Sequence, residues 1–98
     1  MIEEITNVKQ HDNLIYTKPK LIIFFGSERC PHCRDMISEV NSLSEKYPRI
    51  TFSHVEVTKV KTENVDGVPI FVGYSNGEPV DTVLGADREA LESLVREL

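Results

Sequence analysis

The sequence predicts an α/β fold with a central mixed sheet of four or five strands flanked by helices. Three observations support this. The run LIIFF at 21–25 is apolar and β-prone throughout, which is typical of a central strand covered on both faces. An amphipathic helical pattern and a second β-rich segment follow it, as in a right-handed parallel β-α-β unit. Further along, Asn76-Gly77 separates two β-prone segments and predicts an antiparallel hairpin.

The N-terminal half of the chain predicts two strand-helix pairs. IEEI at 2–5 predicts a short strand, and residues 7–16 predict a helix. The strand at 21–25 leads through a short turn into a second helix, which ends before Pro48. The apolar positions expected to face inward are Val8, Leu14 and Ile15 in the first helix, and Met36, Ile37, Val40, Leu43 and Tyr47 in the second.

The C-terminal half predicts three strands and a closing helix. ITFSHVEV at 50–57 is rich in β-branched residues and predicts a strand parallel to the one at 21–25. After a short connection, 69–74 and 80–84 predict the two strands of the hairpin. Asp87 is placed to cap the last helix, whose apolar stripe consists of Leu91, Leu94, Val95 and Leu98.

Length and composition indicate an ordinary globular protein. The 98 residues are 40% hydrophobic and 28% charged, and we expect one domain covering 1–98. A net charge of -5 with interspersed signs argues against nucleic-acid binding, which needs a clustered basic surface. The longest apolar run is too short for a membrane span, and the acidic N-terminus does not resemble a signal peptide. We therefore expect a cytoplasmic monomer that binds neither nucleic acid nor membranes.

The only two cysteines, Cys30 and Cys33, lie three residues apart. In a reducing cytosol such a pair is typical of redox chemistry or metal binding rather than of a structural disulfide. A zinc site needs four ligands, and the chain has no second cysteine pair to add to its three histidines. We expect no intrinsic metal, but a zinc ion or cluster shared across a dimer stays open, as does an unreactive buried pair.

The position of the pair at a helix start favours redox chemistry. Only a thiolate attacks a disulfide, and the partial positive charge at a helix N-terminus stabilises an anion. Pro31 is suited to the first helical position, where its missing N–H costs nothing. Cys33 is then one turn inside the helix and more sheltered. This asymmetry predicts that Cys30 attacks and that Cys33 resolves.

These residues together resemble the thioredoxin superfamily, over nearly the whole chain from the first strand onward. The resemblance rests on CPHC at 30–33, on VDGVPIFVGYSNGEPV at 65–80 as a cis-proline loop with its hairpin, and on VLGADREALESLV at 83–95 as the last strand and helix. It implies a thioredoxin fold, with Cys30 and Cys33 as the redox pair. It also implies a cis peptide before Pro69 and a substrate-binding surface formed by Val68, Pro69, Gly85 and Ala86.

The chain departs from the family pattern in three places. Arg29 precedes the cysteine pair where family members usually have tryptophan, and the chain has no tryptophan. Phe24 occupies the position of a buried aspartate that often serves the resolving thiol, which questions proton transfer to a carboxylate. The connection from Val57 to Val68 is short, so the second main helix is predicted to be reduced to a turn or two.

The resemblance implies a thiol-disulfide oxidoreductase that acts on protein disulfides. Pro31-His32 is the dipeptide that periplasmic disulfide oxidases of the superfamily place between their cysteines, and His32 and Arg29 can stabilise a thiolate. We therefore expect a cytoplasmic reductase with a relatively oxidising potential. No cofactor is required, and electrons would come from a thioredoxin reductase-like flavoenzyme or from glutathione. The alternative is a non-catalytic binding or redox-regulatory module with the same fold.

Overall fold

The fold, seen in a computed structural model that describes residues 2–62 and 67–98, is a five-stranded mixed sheet flanked by three helices. The strands and helices alternate along the first half of the chain, and a hairpin precedes the last helix. The strands are β1 (Ile2–Ile5), β2 (Lys20–Gly26), β3 (Thr51–Glu56), β4 (Ile70–Ser75) and β5 (Glu78–Leu84). The helices are α1 (Val8–Thr17), α2 (Pro31–Lys46) and α3 (Arg88–Glu97).

The sheet has the strand order β1-β3-β2-β4-β5. β1 and β2 pair with β3 in parallel, whereas β4 pairs antiparallel with both β2 and β5. In this register Phe24 of β2 lies opposite His54 of β3 on one side and Phe71 of β4 on the other. The predicted order of elements, the central position of β2 and the mixed sheet are confirmed.

The central strand β2 is buried on both faces, as its apolar run predicts. Ile22 and Phe24 belong to the core on the side of α2 and α3. The alternate residues Leu21, Ile23 and Phe25 belong to a second core, to which Leu14 of α1 contributes. Because successive side chains of a strand point to opposite faces, a single five-residue run supplies the centre of both cores.

Each helix begins at a residue whose side chain accepts a backbone N–H three positions further on. Asn7 caps α1, Cys30 caps α2 and Asp87 caps α3, so the predicted starts of α2 and α3 are confirmed. The inward orientation predicted for Val8 and Ile37 is wrong, since these residues are 45% and 44% exposed. Val8 lies six residues from the buried Leu14, which on a helix places it about 240° around the axis.

The connection from β3 to β4 begins with a tight turn. The N–H groups of Lys59 and Val60 both donate to the carbonyl of Glu56, at 2.9 Å each. The described part of this connection, 57–62 and 67–69, contains no helix. The predicted reduction of the second main helix falls partly on residues 63–66, which are outside the described residues. Across the described chain, no helix combines the length and apolar character that a membrane crossing requires.

Candidate functional site

The turn after β2 places the cysteine pair at the start of α2. Residues 27–30 connect the end of β2 to the helix, and the Cys30 N–H donates to the carbonyl of Ser27 at 3.0 Å. Cys30 has extended backbone angles and is the N-cap, and Pro31 occupies the first turn of the helix. Cys30 is half-buried, whereas Cys33 is only 3% exposed. The predicted difference in accessibility between the two thiols is present.

The Cys30 sulfur accepts a hydrogen bond from the helix it caps. The backbone N–H of Cys33 donates to Cys30 Sγ at 3.2 Å and also lies 3.1 Å from the Cys30 carbonyl oxygen. Both cysteines are free thiols in this structure. The N–H groups at the start of a helix have no intrahelical acceptor, so a sulfur anion at this position satisfies one of them.

The loop before β4 lies beside Cys30. The Val68–Pro69 peptide bond is cis, and the carbonyl oxygen of Val68 is 3.9 Å from Cys30 Sγ. The Pro69 carbonyl accepts the N–H of Gly85 at 2.8 Å, and Gly85 has a φ of 89°. The structure therefore brings Cys30, the cis peptide and Gly85 into one surface, on which the exposed Ala86 follows Gly85.

Two basic residues lie next to the cysteine pair in the sequence. Arg29 and His32, the neighbours of Cys30 and Pro31, are exposed. The backbone N–H of Arg29 donates to Ser27 Oγ at 3.2 Å, but neither basic side chain bonds to another described residue.

Cys33 is held in its protonated form. The pKa of its thiol is raised to about 12, first by burial and then by its hydrogen bond with Cys30 and by the negative charges of Cys30 and Glu56. A thiol with this pKa carries almost no thiolate at neutral pH. The attack by Cys33 on any disulfide therefore requires a group that takes its proton.

Glu56 is a buried carboxylate next to the cysteine pair that the sequence analysis missed. It is 8% exposed, and its oxygens accept hydrogen bonds from the Glu28 N–H at 2.8 Å and from the Thr58 hydroxyl at 2.7 Å. A signal was available, since Glu56 follows Phe52 and His54 at the inward positions of β3. The alternation places a charged residue where an apolar one belongs.

The aromatic side chain of Phe24 fills the position where the family pattern has its aspartate. Its ring stacks on Phe71, with the centroids 4.8 Å apart, and meets the ring of His54 edge-on at 5.1 Å. The departure noted in the sequence is therefore a packed aromatic cluster. The buried carboxylate in this region is instead Glu56, which belongs to the adjacent strand β3.

Metal ligands are not grouped near the cysteines. Within residues 2–62 and 67–98, no three His, Cys, Asp or Glu side chains are arranged as a metal site requires. The Nδ1 atoms of His11 and His54 instead lie 2.9 and 2.8 Å from the carboxylates of Asp12 and Glu4.

Comparisons with known proteins assign this arrangement to a family. The Thioredoxin family model matches residues 2–97. Thioredoxin 1 of Plasmodium falciparum is 31% identical and covers 97% of this chain and 95% of its own length. The chain belongs to the thioredoxin family. Thioredoxin-3 of Saccharomyces cerevisiae, a mitochondrial protein, is 30% identical over 99% of this chain and 80% of its own length.

Solved thioredoxin structures superimpose closely on this fold. The Plasmodium falciparum thioredoxin gives a TM-score of 0.92 at 30% identity, with 98% of both chains covered. A second structure gives a TM-score of 0.94 at 29% identity, covering 99% of this chain and 95% of the other. It comes from work on the thiol resolving mechanism of a yeast mitochondrial 1-Cys peroxiredoxin through glutathione and thioredoxin systems. Thioredoxins are protein-disulfide oxidoreductases, and this thioredoxin-family chain is a thiol-disulfide oxidoreductase of that class.

Proposed function

We propose that this chain reduces protein disulfides with Cys30 as the attacking thiolate and Cys33 as the resolving thiol. The observation that carries the proposal is the Cys30 sulfur at the α2 N-cap, where it accepts the Cys33 N–H at 3.2 Å. Hydrogen bonds and the helix dipole both favour an anion there. Cys33 is buried with a pKa of about 12, so it stays protonated until Cys30 has reacted.

The reaction is a pair of thiol-disulfide exchanges. The Cys30 thiolate attacks one sulfur of the substrate disulfide, a Cys30–substrate bond forms, and the other substrate sulfur leaves as a thiolate. Cys33 then attacks the Cys30 sulfur and releases the second substrate thiol. Two electrons pass to the substrate, and the chain is left with a Cys30–Cys33 disulfide.

An external donor must return these two electrons. A thioredoxin reductase-like flavoenzyme or glutathione is the expected donor class, because one dithiol or two glutathione molecules can reduce the Cys30–Cys33 disulfide by the same exchange in reverse. The relative studied with a 1-Cys peroxiredoxin and glutathione and thioredoxin systems supports this choice. No bound cofactor takes part in the proposed cycle.

The substrate chain is proposed to bind along Val68, Pro69, Gly85 and Ala86. The Val68 carbonyl lies 3.9 Å from Cys30 Sγ, so an extended peptide paired with the Val68 backbone would pass beside the reactive sulfur. The bond from Gly85 N–H to the Pro69 carbonyl, 2.8 Å long, fixes the two halves of this surface against each other. The main chain, rather than particular side chains, would then hold the substrate.

The redox potential is proposed to be less negative than that typical of thioredoxin, about -270 mV. His32 is exposed at the second helical position, after Pro31, and Arg29 is exposed on the other side of Cys30. Donors and positive charge near the Cys30 thiolate stabilise the reduced form, which makes the Cys30–Cys33 disulfide easier to reduce. A cytoplasmic location suits this role, because that compartment keeps thiols reduced.

An insulin-reduction assay with dithiothreitol tests the proposal. The unmodified chain is expected to accelerate insulin precipitation, and Cys30→Ser to leave it at the rate of dithiothreitol alone. The matched variant Cys33→Ser keeps the nucleophile, and it should accumulate a mixed disulfide that mass spectrometry detects on Cys30. No acceleration by the unmodified chain would overturn the enzymatic proposal and favour a binding or redox-regulatory module.

A further inference from the structure

A cleft lies where α2 and α3 end, far from the cysteine pair. It has a volume of about 490 Å³ and is bordered by the first residue of β2, by residues 46–50 and by the last turn of α3. The 16 residues of α2, at about 1.5 Å each, place this end of the helix about 24 Å from its start at Cys30. A small molecule bound in this cleft would not reach the reactive sulfur.

Four basic side chains border this cavity, which we call the basic cleft: Lys20, Lys46, Arg49 and Arg96. They are four of the eleven lysine and arginine residues in a chain whose net charge is -5. No Asp or Glu within residues 2–62 and 67–98 lines the cleft. An acidic chain has therefore gathered positive charge around one concave site.

The ends of the two helices account for only part of this charge. Lys46 and Arg96 lie in the last turns of α2 and α3, where the helix dipole favours a cation, and Arg96 also pairs with Glu92 at 3.0 Å. Lys20 begins a strand, and Arg49 lies in the turn between α2 and β3. In the part of the chain that the structure describes, Lys20, Lys46 and Arg49 form no ion pair with a carboxylate.

These unpaired positive charges are close enough to act together. A sphere with the volume of the cleft is about 10 Å across, which is similar to the Debye length of about 8 Å at physiological ionic strength. Repulsion between the like charges disfavours the empty cleft, and a bound anion would relieve it. A concave site lined by charge of one sign also concentrates counter-ions. The electrostatics of the cleft therefore favour an anionic ligand.

The wall between the basic side chains is apolar and preformed. Ile50 and Val95 are 8% and 1% exposed, and the half-buried ring of Tyr47 has Lys46 Nζ 5.7 Å from its centroid. The Ile50 N–H donates to the Tyr47 carbonyl at 3.1 Å, which closes the turn that carries Arg49. A site that is already ordered loses little entropy on binding. An apolar wall with a few polar groups at its edge is typical of small-molecule sites, whose volumes are about 300–1,000 Å³.

We propose that the basic cleft binds a small phosphorylated aromatic molecule. The aromatic body would pack on the Tyr47 ring and the apolar wall, and the phosphate would be bound by Lys20, Lys46 and Arg49. A nucleic acid or a membrane surface would need positive charge that extends well beyond one cleft. The site is separate from Cys30, and it does not depend on the thiol-disulfide exchange proposed above.

Titration with 2-naphthyl phosphate, followed through the amide chemical shifts of the whole chain, tests the proposal. The amide signals of residues 46–50 and 95–98 should move. The dissociation constant should be at least about tenfold lower than the constants of inorganic phosphate and of 2-naphthol, because each of these supplies only one half of the contacts. A similar affinity for inorganic phosphate would contradict the role of the apolar wall, and unmoved signals at about 10 mM probe would refute the site.

A double variant, Lys20→Gln with Arg49→Gln, removes two of the unpaired charges and leaves the apolar wall intact. It should weaken the binding of 2-naphthyl phosphate at least about tenfold, because both lost donors are charged. Lys9→Gln removes an exposed positive charge from α1 and is the matched control, with an expected change of less than about twofold. Equal weakening in both variants would mean that net charge, and not the cleft, determines binding.

Insulin reduction by the double variant tests whether the basic cleft is a separate site. The rate should equal that of the unmodified chain, since both substitutions lie near the other end of α2 from Cys30. A lost rate in a variant that keeps its fold would contradict a separate site. An acidic peptide that binds residues 46–50 more tightly than 2-naphthyl phosphate would overturn the choice of a small molecule and indicate a protein partner instead.

Discussion

The backbone N–H of Cys33 donates a hydrogen bond to the sulfur of Cys30 at 3.2 Å. The same residue thus stabilises charge on its partner through its main chain, while its own thiol is buried and kept protonated. We expect the two cysteines to differ in reactivity, because one caps the helix and the other lies inside its first turn. A separation of three residues is enough to place the two thiols in these different environments.

The first prediction concerns the order of alkylation. At neutral pH iodoacetamide should modify Cys30 and leave Cys33 largely intact, because only the thiolate reacts and the pKa of Cys33 is about 12. Peptide mapping by mass spectrometry of the reduced chain measures the ratio. Modification of Cys33 should rise only as the pH approaches that value. Equal modification of both cysteines at neutral pH would contradict the assigned asymmetry.

The second prediction concerns the redox potential. His32→Ala should make the potential more negative by roughly 30 mV, because losing a donor or positive charge worth about 1.4 kcal/mol destabilises the reduced form by that amount. Equilibration with glutathione buffers of known ratio measures it. Ser38→Ala, an exposed position further along α2, provides the control. An unchanged potential in His32→Ala would refute the role proposed for this histidine.

The arrangement around Cys30 could be predicted from local sequence. A buried strand, a short turn, an N-cap and a proline at the helix start are encoded within residues 21–33, and each depends on near neighbours. The cis peptide at Pro69 and its closeness to Gly85 came only from the family resemblance. Local residue preferences do not specify a contact across strands that are far apart in sequence.

The alternation in β3 indicates that Glu56 faces inward, but the contacts that allow its burial could not be predicted from local sequence. Its position depends on the parallel register of β3 against β2, in which it lies opposite Gly26. A side chain in place of Gly26 would crowd the Phe24 ring, because a Cβ atom at Gly26 would lie 3.0 Å from Phe24 Cε1. The space around the carboxylate and its bond to the Glu28 N–H follow from tertiary packing.

The third prediction concerns close packing between β4 and α3. A Cβ atom at Gly73 would lie 2.8 Å from Leu94 Cδ1, and Leu94 is 1% exposed. Gly73→Ala should therefore destabilise the fold by about 1–3 kcal/mol through overpacking. Urea denaturation measures the loss. In a Leu94→Ala background the cost of Gly73→Ala should disappear; an equal cost in both backgrounds would assign the effect to the backbone instead.

The last prediction concerns stability at acid pH. Because hydrogen bonds hold the Glu56 pKa below its usual range, the ionised carboxylate stabilises the fold at every pH above the unfolded value of about 4.3. This contribution is lost as the pH falls below that value and through the lower pKa of the folded state. Urea denaturation across this range should show a decline in the free energy of unfolding.

Glu56→Gln tests the origin of that decline. The variant should be less stable than the unmodified chain at neutral pH, and it should lose less stability on acidification, since the amide does not titrate. Glu97→Gln, at an exposed position near the end of α3, is the matched control and should follow the unmodified chain. Parallel curves for Glu56→Gln and the unmodified chain would show that other carboxylates determine the acid sensitivity, and that the hydrogen bonds at Glu56 contribute little to it.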